Sequence, residues 1–268
     1  MSEKISLKKR QDTLVISLKK KSIDTSTQKI VLRVASALDI SGSMGSLYRN
    51  GTVSDFVGKL LPFGMVFDDN AQIDMWAFNN YSQELPPAVA DVYDDYVGKC
   101  MSRVSVNGGT SYAPVMQAIY DEYFGGVPMK IVTREVTEKH EVPAKGMMAK
   151  LTGKKEIVEV TRTITEEVPD DTKAVDTTPA MVFFQTDGEN NDQAAVRAVL
   201  DRNKGKPIYW FMVGVGRESF RFLKELAKEY DNVDFIGIDD LSLSDEDLYD
   251  KLLSQEFGEW VEKVGAKS

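Results

Sequence analysis

The strongest signal in this chain is a polar triplet at the end of an apolar segment. The apolar run from Val31 to Leu38 leads directly into Asp39-Ile40-Ser41-Gly42-Ser43, in which a carboxylate and two hydroxyls occupy alternate positions. Open α/β sheets bind their ligands beyond the carboxyl ends of parallel strands. Hard cations such as Mg²⁺ prefer oxygen ligands in near-octahedral geometry. We therefore predict that Asp39, Ser41 and Ser43 contribute to a divalent-cation site at such an edge.

Two later segments carry the same kind of side chain. Thr110 lies in Gly108-Gly109-Thr110-Ser111, and Asp187 lies in Thr186-Asp187-Gly188-Glu189, directly after an apolar run. We predict that Thr110 and Asp187 join the first three residues around one cation, which would be Mg²⁺, or else Mn²⁺ or Ca²⁺. The alternative is a set of polar turns that cap the following helices, because Ser, Thr and Asp are preferred at helix N-termini.

Strand-like and helix-like segments alternate along most of the chain. Strands are predicted at 31–39, 73–78, 179–186, 208–215 and 233–238, and helices at 53–67, 93–104, 111–124, from about 192, at 219–230 and at 244–264. This alternation is typical of a mostly parallel sheet that is covered by helices on both faces. The predicted fold class is therefore α/β, doubly wound and Rossmann-like.

The first 28 residues and a central segment depart from this alternation. Ile5-Ser6-Leu7 and Leu14-Val15-Ile16-Ser17-Leu18 alternate apolar and polar residues. This alternation predicts one or two short antiparallel strands in residues 1–28. The main domain would then occupy residues 29–268, with an insertion at about 129–178.

The insertion has the pattern of a long β-hairpin arm. Two runs, 130–142 and 155–168, alternate β-branched and charged residues, which favours strands with exposed faces. Each strand would reach roughly 35 Å at about 3.3 Å per residue. We predict that the arm leaves the sheet at the end opposite the cation and binds a partner through Met147 and Met148, whose side chains adapt to irregular surfaces. The alternative is an arm with no binding role.

Composition excludes several classes of function. The net charge of -9 disfavours binding to nucleic acid. The single His140 leaves little scope for a catalytic triad or a histidine-rich zinc site. The single Cys100 cannot form an internal disulfide, and the chain has neither a signal-peptide core nor an apolar run long enough to span a membrane. We expect a cytoplasmic protein, encoded by a bacterium or a virus, that does not associate with membranes.

A second acidic segment, Asp68-Asp69-Asn70-Ala71-Gln72-Ile73-Asp74, superficially suggests a calcium loop. Ile73 stands where such loops need a glycine for the sharp turn, and Asn79 stands where they need a bidentate glutamate. We therefore interpret this segment as a polar turn.

The order D-x-S-x-S, distant Thr and T-D-G resembles the von Willebrand factor A (vWA) domain and its metal-ion-dependent adhesion site. Within that family the segments Ala37-Leu38-Asp39, Phe67-Asp68-Asp69 and Trp76-Ala77-Phe78 are similar to the TerF-like group of tellurium-resistance proteins. The repeated Ser6-Leu7-Lys8-Lys9 and Ser17-Leu18-Lys19-Lys20 resemble the opening of TerD-type proteins. The resemblance implies a vWA fold over most of the chain.

The resemblance also implies how the site would work. In the family, the residues at the positions of Ser41 and Ser43 bind the cation directly, while those at Asp39 and Asp187 usually act through water. The residue at the position of Thr110 binds directly in a ligand-bound, open-like state and through water otherwise. A shell of mainly neutral hydroxyls leaves the cation under-neutralised, so that an Asp or Glu of a protein partner completes it. Other Ter-type proteins or an ATPase would be candidate partners.

Three functions follow as hypotheses. The first is a non-enzymatic, metal-dependent protein-binding module in tellurium resistance or a stress response. The second is a metal-dependent hydrolase or phosphotransferase, for which Glu189 is the nearest candidate base. The third is a structural component of a bacterial or viral assembly that is joined through the arm.

Overall fold

The computed structural model describes residues 6–23, 30–126, 129–143, 155–169, 177–188, 190–239 and 243–265. It divides into two compact units, one formed by Met1–Phe124 with Thr177–Ser268 and the other by Gly125–Asp176. The first unit holds the candidate metal site, and the second holds the predicted arm.

A six-stranded sheet forms the centre of the first unit. Its strands are β1 (Arg33–Asp39), β2 (Ile73–Phe78), β3 (Ser82–Ala88), β6 (Ala180–Thr186), β7 (Ile208–Val215) and β8 (Val233–Ile238). Their order is β3-β2-β1-β6-β7-β8, and all neighbours pair in parallel except β2 and β3. The predicted fold class is confirmed.

The order of the strands determines where a ligand can bind. The chain leaves β1 toward β2 on one side, and β6 lies on the other side of β1. Loops that follow β1 and β6 therefore diverge, and the crevice between them is the usual ligand site of an open α/β sheet. Asp39 is the last residue of β1, and Asp187 directly follows β6.

Helices cover both faces of the sheet. They are α1 (Leu7–Lys20), α2 (Gly45–Arg49), α3 (Thr52–Phe67), α4 (Tyr96–Cys100), α5 (Ala113–Phe124), α6 (Gln193–Arg202), α7 (Arg221–Glu229), α8 (Asp245–Leu252) and α9 (Gln255–Gly265). Residues of α1, α3, α8 and α9 pack in one apolar core, and residues of α5, α6 and α7 pack in the other. The central strands are buried on both sides, which explains their nearly continuous apolar sequences.

The N-terminal strands predicted from the sequence are wrong, because this segment forms helix α1. Ser6 caps the helix by accepting a hydrogen bond from the Lys9 N–H at 3.2 Å. Leu14 and Leu18 are buried four residues apart, which is a helical repeat. The alternation of apolar and polar residues in this segment was too short to distinguish a helix from a strand. Helix α1 packs against α3 and α8.

A buried ion-pair network holds α1 in place. Arg10 of α1 is 7% exposed and pairs with Asp55 of α3 at 2.9 Å and with the buried Asp245 of α8 at 3.2 Å. Lys59, also buried, pairs with Asp55 at 2.9 Å. Burial raises the pKa of Asp55, but the hydrogen bonds from Arg10 and Lys59 outweigh it and hold this pKa below its usual value.

The predicted hairpin is confirmed in the second unit. Strands β4 (Met129–Pro143) and β5 (Lys155–Pro169) pair antiparallel from Met129–Pro169 to Pro143–Lys155 without a register shift. Ion pairs link the strands, including Arg134 with Glu166 and Arg162 with Glu138. The ribbon exposes Ile131 and Ile157 by 70% and 66%.

Several boundaries differ from the sequence-based prediction. The helix predicted at 93–104 is only the short α4, and the helix predicted at 244–264 is divided into α8 and α9. Ser254 separates these two helices, where its hydroxyl accepts a hydrogen bond from the Phe257 N–H at 3.0 Å. The edge strand β3 was not predicted, since it contains Pro86 and Pro87. None of the helices in the described ranges is long and apolar enough to cross a membrane.

We predict that Arg10→Met lowers the free energy of unfolding by about 3–5 kcal/mol, because Asp245 would be left buried without its cation. Urea unfolding should be followed by tryptophan fluorescence, since Trp76, Trp210 and Trp260 all lie in the first unit. Lys8→Met is the matched control, because Lys8 pairs with Asp12 on the exposed side of the same helix and should cost less than about 1 kcal/mol. Equal losses in the two variants would contradict the prediction.

Candidate metal site

The first loop of the site begins at the end of β1 with a buried carboxylate. Asp39 is 0% exposed. One of its oxygens accepts a hydrogen bond from the Ser41 N–H at 2.7 Å, and the other accepts one from the Thr186 hydroxyl at 2.6 Å. The Asp39 carbonyl also accepts a hydrogen bond from the Tyr48 hydroxyl at 3.0 Å. The carboxylate therefore tightens the turn after β1 and joins it to the neighbouring strand β6.

Ser41 and Ser43 present two neighbouring hydroxyls in this loop. Their oxygens are 3.2 Å apart, at the start of a short 3₁₀ turn over Gly42–Met44. Ser41 is 2% exposed, while Ser43 is exposed. The Ser43 hydroxyl donates to a carboxylate oxygen of Asp187 at 2.9 Å. This contact brings together the first and last segments that were predicted to form the site.

The loop that contains Thr110 is bound to both of the others through its backbone. The Gly108 carbonyl accepts a hydrogen bond from the Gly42 N–H at 3.2 Å. The Thr110 carbonyl accepts one from the Asn191 N–H at 3.1 Å. Thr110 itself is partly buried. All three predicted segments therefore meet at one edge of the sheet.

Tyr112 and Asp192 strengthen the connection between the second and third loops. The Tyr112 hydroxyl donates to the Gly188 carbonyl at 2.5 Å and approaches the Thr186 hydroxyl at 3.3 Å. The Asp192 carboxylate accepts hydrogen bonds from the N–H groups of Tyr112 at 3.0 Å and Ala113 at 2.8 Å, so it caps α5. Asp192 precedes α6 in sequence, yet its side chain caps a different helix.

Burial controls the electrostatics of the two carboxylates. Burial raises the pKa of Asp39 to about 6, although hydrogen bonds from Ser41 and Thr186 act in the opposite direction. Burial also raises the pKa of Asp187, and the negative charge of Glu218 adds to this effect, while the Ser43 hydrogen bond opposes it. The edge therefore holds two carboxylates that would gain from a nearby positive charge.

The donor set fits a hard divalent cation. Ser41, Ser43, Asp187 and Asp39 offer only oxygen atoms, and Thr110 adds another hydroxyl on a connected loop. No three His, Cys, Asp or Glu side chains cluster as metal ligands anywhere in the described ranges. A cation at this edge would accordingly be held mainly by hydroxyls, with two carboxylates rather than three.

The structure thus brings Asp39, Ser41, Ser43 and Asp187 into one hydrogen-bonded group and places Thr110 on an adjoining loop. Thr186, Tyr112 and Asp192 were not predicted as parts of this group. Their only sequence signal is their position beside the predicted residues.

Three other predicted residues, Met147, Met148 and Glu189, lie outside the described residues. The acidic segment at 68–74 forms a turn that leads into β2 at Ile73. Asp68 accepts hydrogen bonds from the N–H groups of Asn70 at 3.0 Å and of Val34 in β1 at 3.2 Å.

Two comparisons of the sequence identify relatives. A family model described as the vWA domain found in the TerF C terminus matches residues 31–133 and 132–268. The uncharacterized protein YcbR of Bacillus subtilis (strain 168) is 27% identical over 265 residues, which cover 94% of this chain and 88% of YcbR.

Two solved structures match this chain at low sequence identity. Proximal thread matrix protein 1 from the mussel byssus matches with a TM-score of 0.50 and 13% identity, over 84% of this chain and 47% of the mussel protein. The ArnB paralog VWA2 from Sulfolobus acidocaldarius matches with a TM-score of 0.43 and 11% identity, over 85% of this chain and 45% of that protein. The matched region thus spans about half the length of each of these proteins. The mussel protein shows a shared fold.

We predict that ionisation of Asp39 destabilises the folded protein in the absence of metal. Because its pKa of about 6 in the folded state exceeds the unfolded value of about 3.9, ionisation opposes folding, and this penalty grows as the pH rises through that interval. The unfolding free energy of Asp39→Asn minus that of the parent should therefore increase by about 2 kcal/mol between about pH 4.5 and about pH 7.5.

Urea unfolding in a chelator, followed by tryptophan fluorescence, measures this difference at each pH. Asp69→Asn is the control, since it makes the same substitution at an exposed turn residue. If the difference in unfolding free energy between Asp39→Asn and the parent does not change with pH, the claim that burial raises the pKa of Asp39 is refuted.

Proposed function

The chain belongs to the family of vWA domains found at the C terminus of TerF, and on that premise we propose that it is a non-enzymatic protein-binding module that depends on a divalent cation. The observation that carries this proposal is the hydrogen-bonded group formed by Asp39, Ser41, Ser43 and Asp187. It joins oxygen ligands from two separate loops at the ligand-binding edge of the sheet.

The geometry supports a distinct role for each residue. We propose that the Ser41 and Ser43 hydroxyls, whose oxygens are 3.2 Å apart, bind one cation directly. Both Asp39 oxygens already accept hydrogen bonds, which supports contact through water. Asp187 would exchange its hydrogen bond with Ser43 for a water bound to the cation, and Thr110 would add a further hydroxyl. We propose Mg²⁺, or else Mn²⁺ or Ca²⁺, as the cation, because all of these ligands are hard oxygen donors.

The partner follows from the charge of the site. Because both carboxylates would contact the cation through water, its directly bound oxygens would belong to neutral hydroxyls and waters, and the cation would keep much of its positive charge toward a further ligand. When bound, the cation would supply a positively charged coordination position that an Asp or Glu of a partner can fill. We propose such an acidic protein surface as the ligand, with other Ter-type proteins or an ATPase as candidates.

The cellular setting is also a proposal. The TerF relationship supports a role in tellurium resistance or a related stress response. The free Cys100 is compatible with a reducing compartment, and this supports a cytoplasmic location.

We predict saturable binding of Mg²⁺ and Mn²⁺ to the metal-free protein in calorimetric titration. Ser41→Ala and Ser43→Ala should weaken binding by about tenfold or more, since each removes a ligand oxygen. Asp39→Ala should abolish binding, because it removes a negative charge and the hydrogen bonds that shape the loop.

Ser46→Ala is the matched control for these variants, because Ser46 is exposed on α2 and lies only three residues beyond Ser43. Equal affinity for Mg²⁺ in the parent, Ser41→Ala and Ser43→Ala would overturn the metal site. Metal-dependent turnover of phosphate esters or nucleic acid that disappears in Asp39→Ala would instead overturn the non-enzymatic assignment.

We also propose that the arm is a second partner-binding surface. Its two strands pair over their whole described length, and Ile131, Ile157 and Val160 are exposed by 70%, 66% and 47%. Isolated two-stranded ribbons are only marginally stable in water, so a long one that exposes apolar side chains would gain from a partner. Met147 and Met148 are proposed as contacts of this surface.

We predict that the arm can be removed without loss of the metal site. Among the described residues, the buried members of both apolar cores lie in the first unit. Replacing residues 125–176 by a flexible Gly-Ser linker should leave the Mg²⁺ affinity within about twofold and the tryptophan-monitored stability within about 1 kcal/mol. Loss of cooperative unfolding in the shortened protein would show that the two units are interdependent.

A further inference from the structure

One exposed aromatic residue lies beside the proposed metal site. Tyr81 is 79% exposed, and in the described part of the first unit only Ile16, at 55%, is another large apolar side chain with comparable exposure. Single exposed apolar residues are common on protein surfaces. The position of Tyr81 and the support of its backbone distinguish it from such residues.

Tyr81 lies at the same edge of the sheet as the site. Phe78 pairs with Asp39 in the β1–β2 register and with Ser82 in the β2–β3 register. The turn formed by residues 79–81 therefore extends from β2. The axes of β1 and β2 are about 5 Å apart. A partner that reaches the cation would pass close to this turn.

Asn79 holds the turn in a fixed conformation. Its N–H donates to the Tyr81 carbonyl at 3.0 Å, and its side-chain oxygen accepts a hydrogen bond from the Tyr81 N–H at 3.1 Å. These reciprocal contacts define the backbone position of Tyr81. The exposed ring is thus presented by an ordered turn.

The same turn is attached to the loop that carries Thr110. The Asn79 side-chain amide donates to the Asn107 carbonyl at 3.0 Å, and the Asn79 carbonyl accepts a hydrogen bond from the Ser111 N–H at 2.9 Å. Gly108 has a φ of +85°, and a Cβ there would lie 3.3 Å from the Asn79 amide nitrogen. Glycine at this position permits both the backbone conformation and the close approach of the two segments.

We propose that Tyr81 is the aromatic contact of the partner that binds at the cation. The inference rests on the proposed function and specifies its partner: a segment in which an apolar side chain lies within about three residues of the Asp or Glu, a spacing of roughly 10 Å in extended chain. Tyrosine suits this role, because its large, stiff ring gains contact area at little entropic cost. Pro86 and Pro87 lack N–H donors and limit strand addition along β3, so contact is expected through the ring.

The test is selection of random peptides displayed on phage against the full chain, with Mg²⁺ or with a chelator. Parallel selections use the parent, Tyr81→Ala, Tyr81→Phe, Asp39→Ala and the control Ile16→Ala, which shortens the other exposed apolar side chain. The parent should enrich peptides that need Mg²⁺ and carry an acid with an apolar neighbour. Peptides selected by Tyr81→Ala should still carry the acid but should show no preference for an apolar neighbour.

A synthetic peptide from the parent selection should bind Tyr81→Ala about tenfold more weakly, while Tyr81→Phe and Ile16→Ala stay within about twofold of the parent. If the parent and Tyr81→Ala enrich the same peptides, or bind this peptide equally, the role of Tyr81 is refuted and the metal-dependent function stands. If the parent enriches no Mg²⁺-dependent acidic peptide, the proposed function fails and the inference fails with it.

Discussion

The hydrogen bond from Thr186 to the buried carboxylate of Asp39 is the contact on which the organisation of the site depends. It joins the ends of β1 and β6 at 2.6 Å, at the point where the loops that follow these strands diverge. The same carboxylate orders its own loop through the Ser41 N–H. Because the Thr186 hydroxyl is also close to that of Tyr112, the position of Asp39 is linked to the helix that follows the Thr110 loop. Hydrogen bonds therefore connect this one buried carboxylate, directly or through Thr186, to all three loops.

This arrangement costs stability in the absence of a cation. Burial raises the pKa of Asp39 to about 6, so near neutral pH the folded protein holds an ionised group that it would hold more easily in the protonated form. The Arg10 network shows the contrasting solution elsewhere in the unit, since its buried charges lie beside partners of opposite sign. Asp39 has hydrogen-bond donors but no cationic side chain among its contacts in the described residues. A bound cation would stabilise this ionised acid, which supports the proposed metal site.

The sequence was sufficient to predict the five parallel strands of the sheet and the grouping of the polar loops, but not the edge strand β3. Buried strands such as β7 are continuous apolar runs, and Asp39, Thr110 and Asp187 each stand where an element ends or begins. What it could not supply depends on contacts between distant segments. Arg10 can be buried in a helix because it forms ion pairs with Asp55 and Asp245. Asp192 looks like the cap of its own helix, yet it caps α5, and no local pattern distinguishes the two.

The backbone connections suggest how binding at the cation would affect segments that do not contact it. The Thr110 loop contacts the Ser41–Ser43 loop through Gly42, the third loop through Asn191 and the Tyr81 turn through Asn79. A shift of Thr110 toward a cation must therefore either stretch these hydrogen bonds or move their partners with it. Tight packing at Gly108 favours the second outcome, since it leaves little free space between the segments. Binding at the cation and contact at Tyr81 would then be coupled, because one loop positions both.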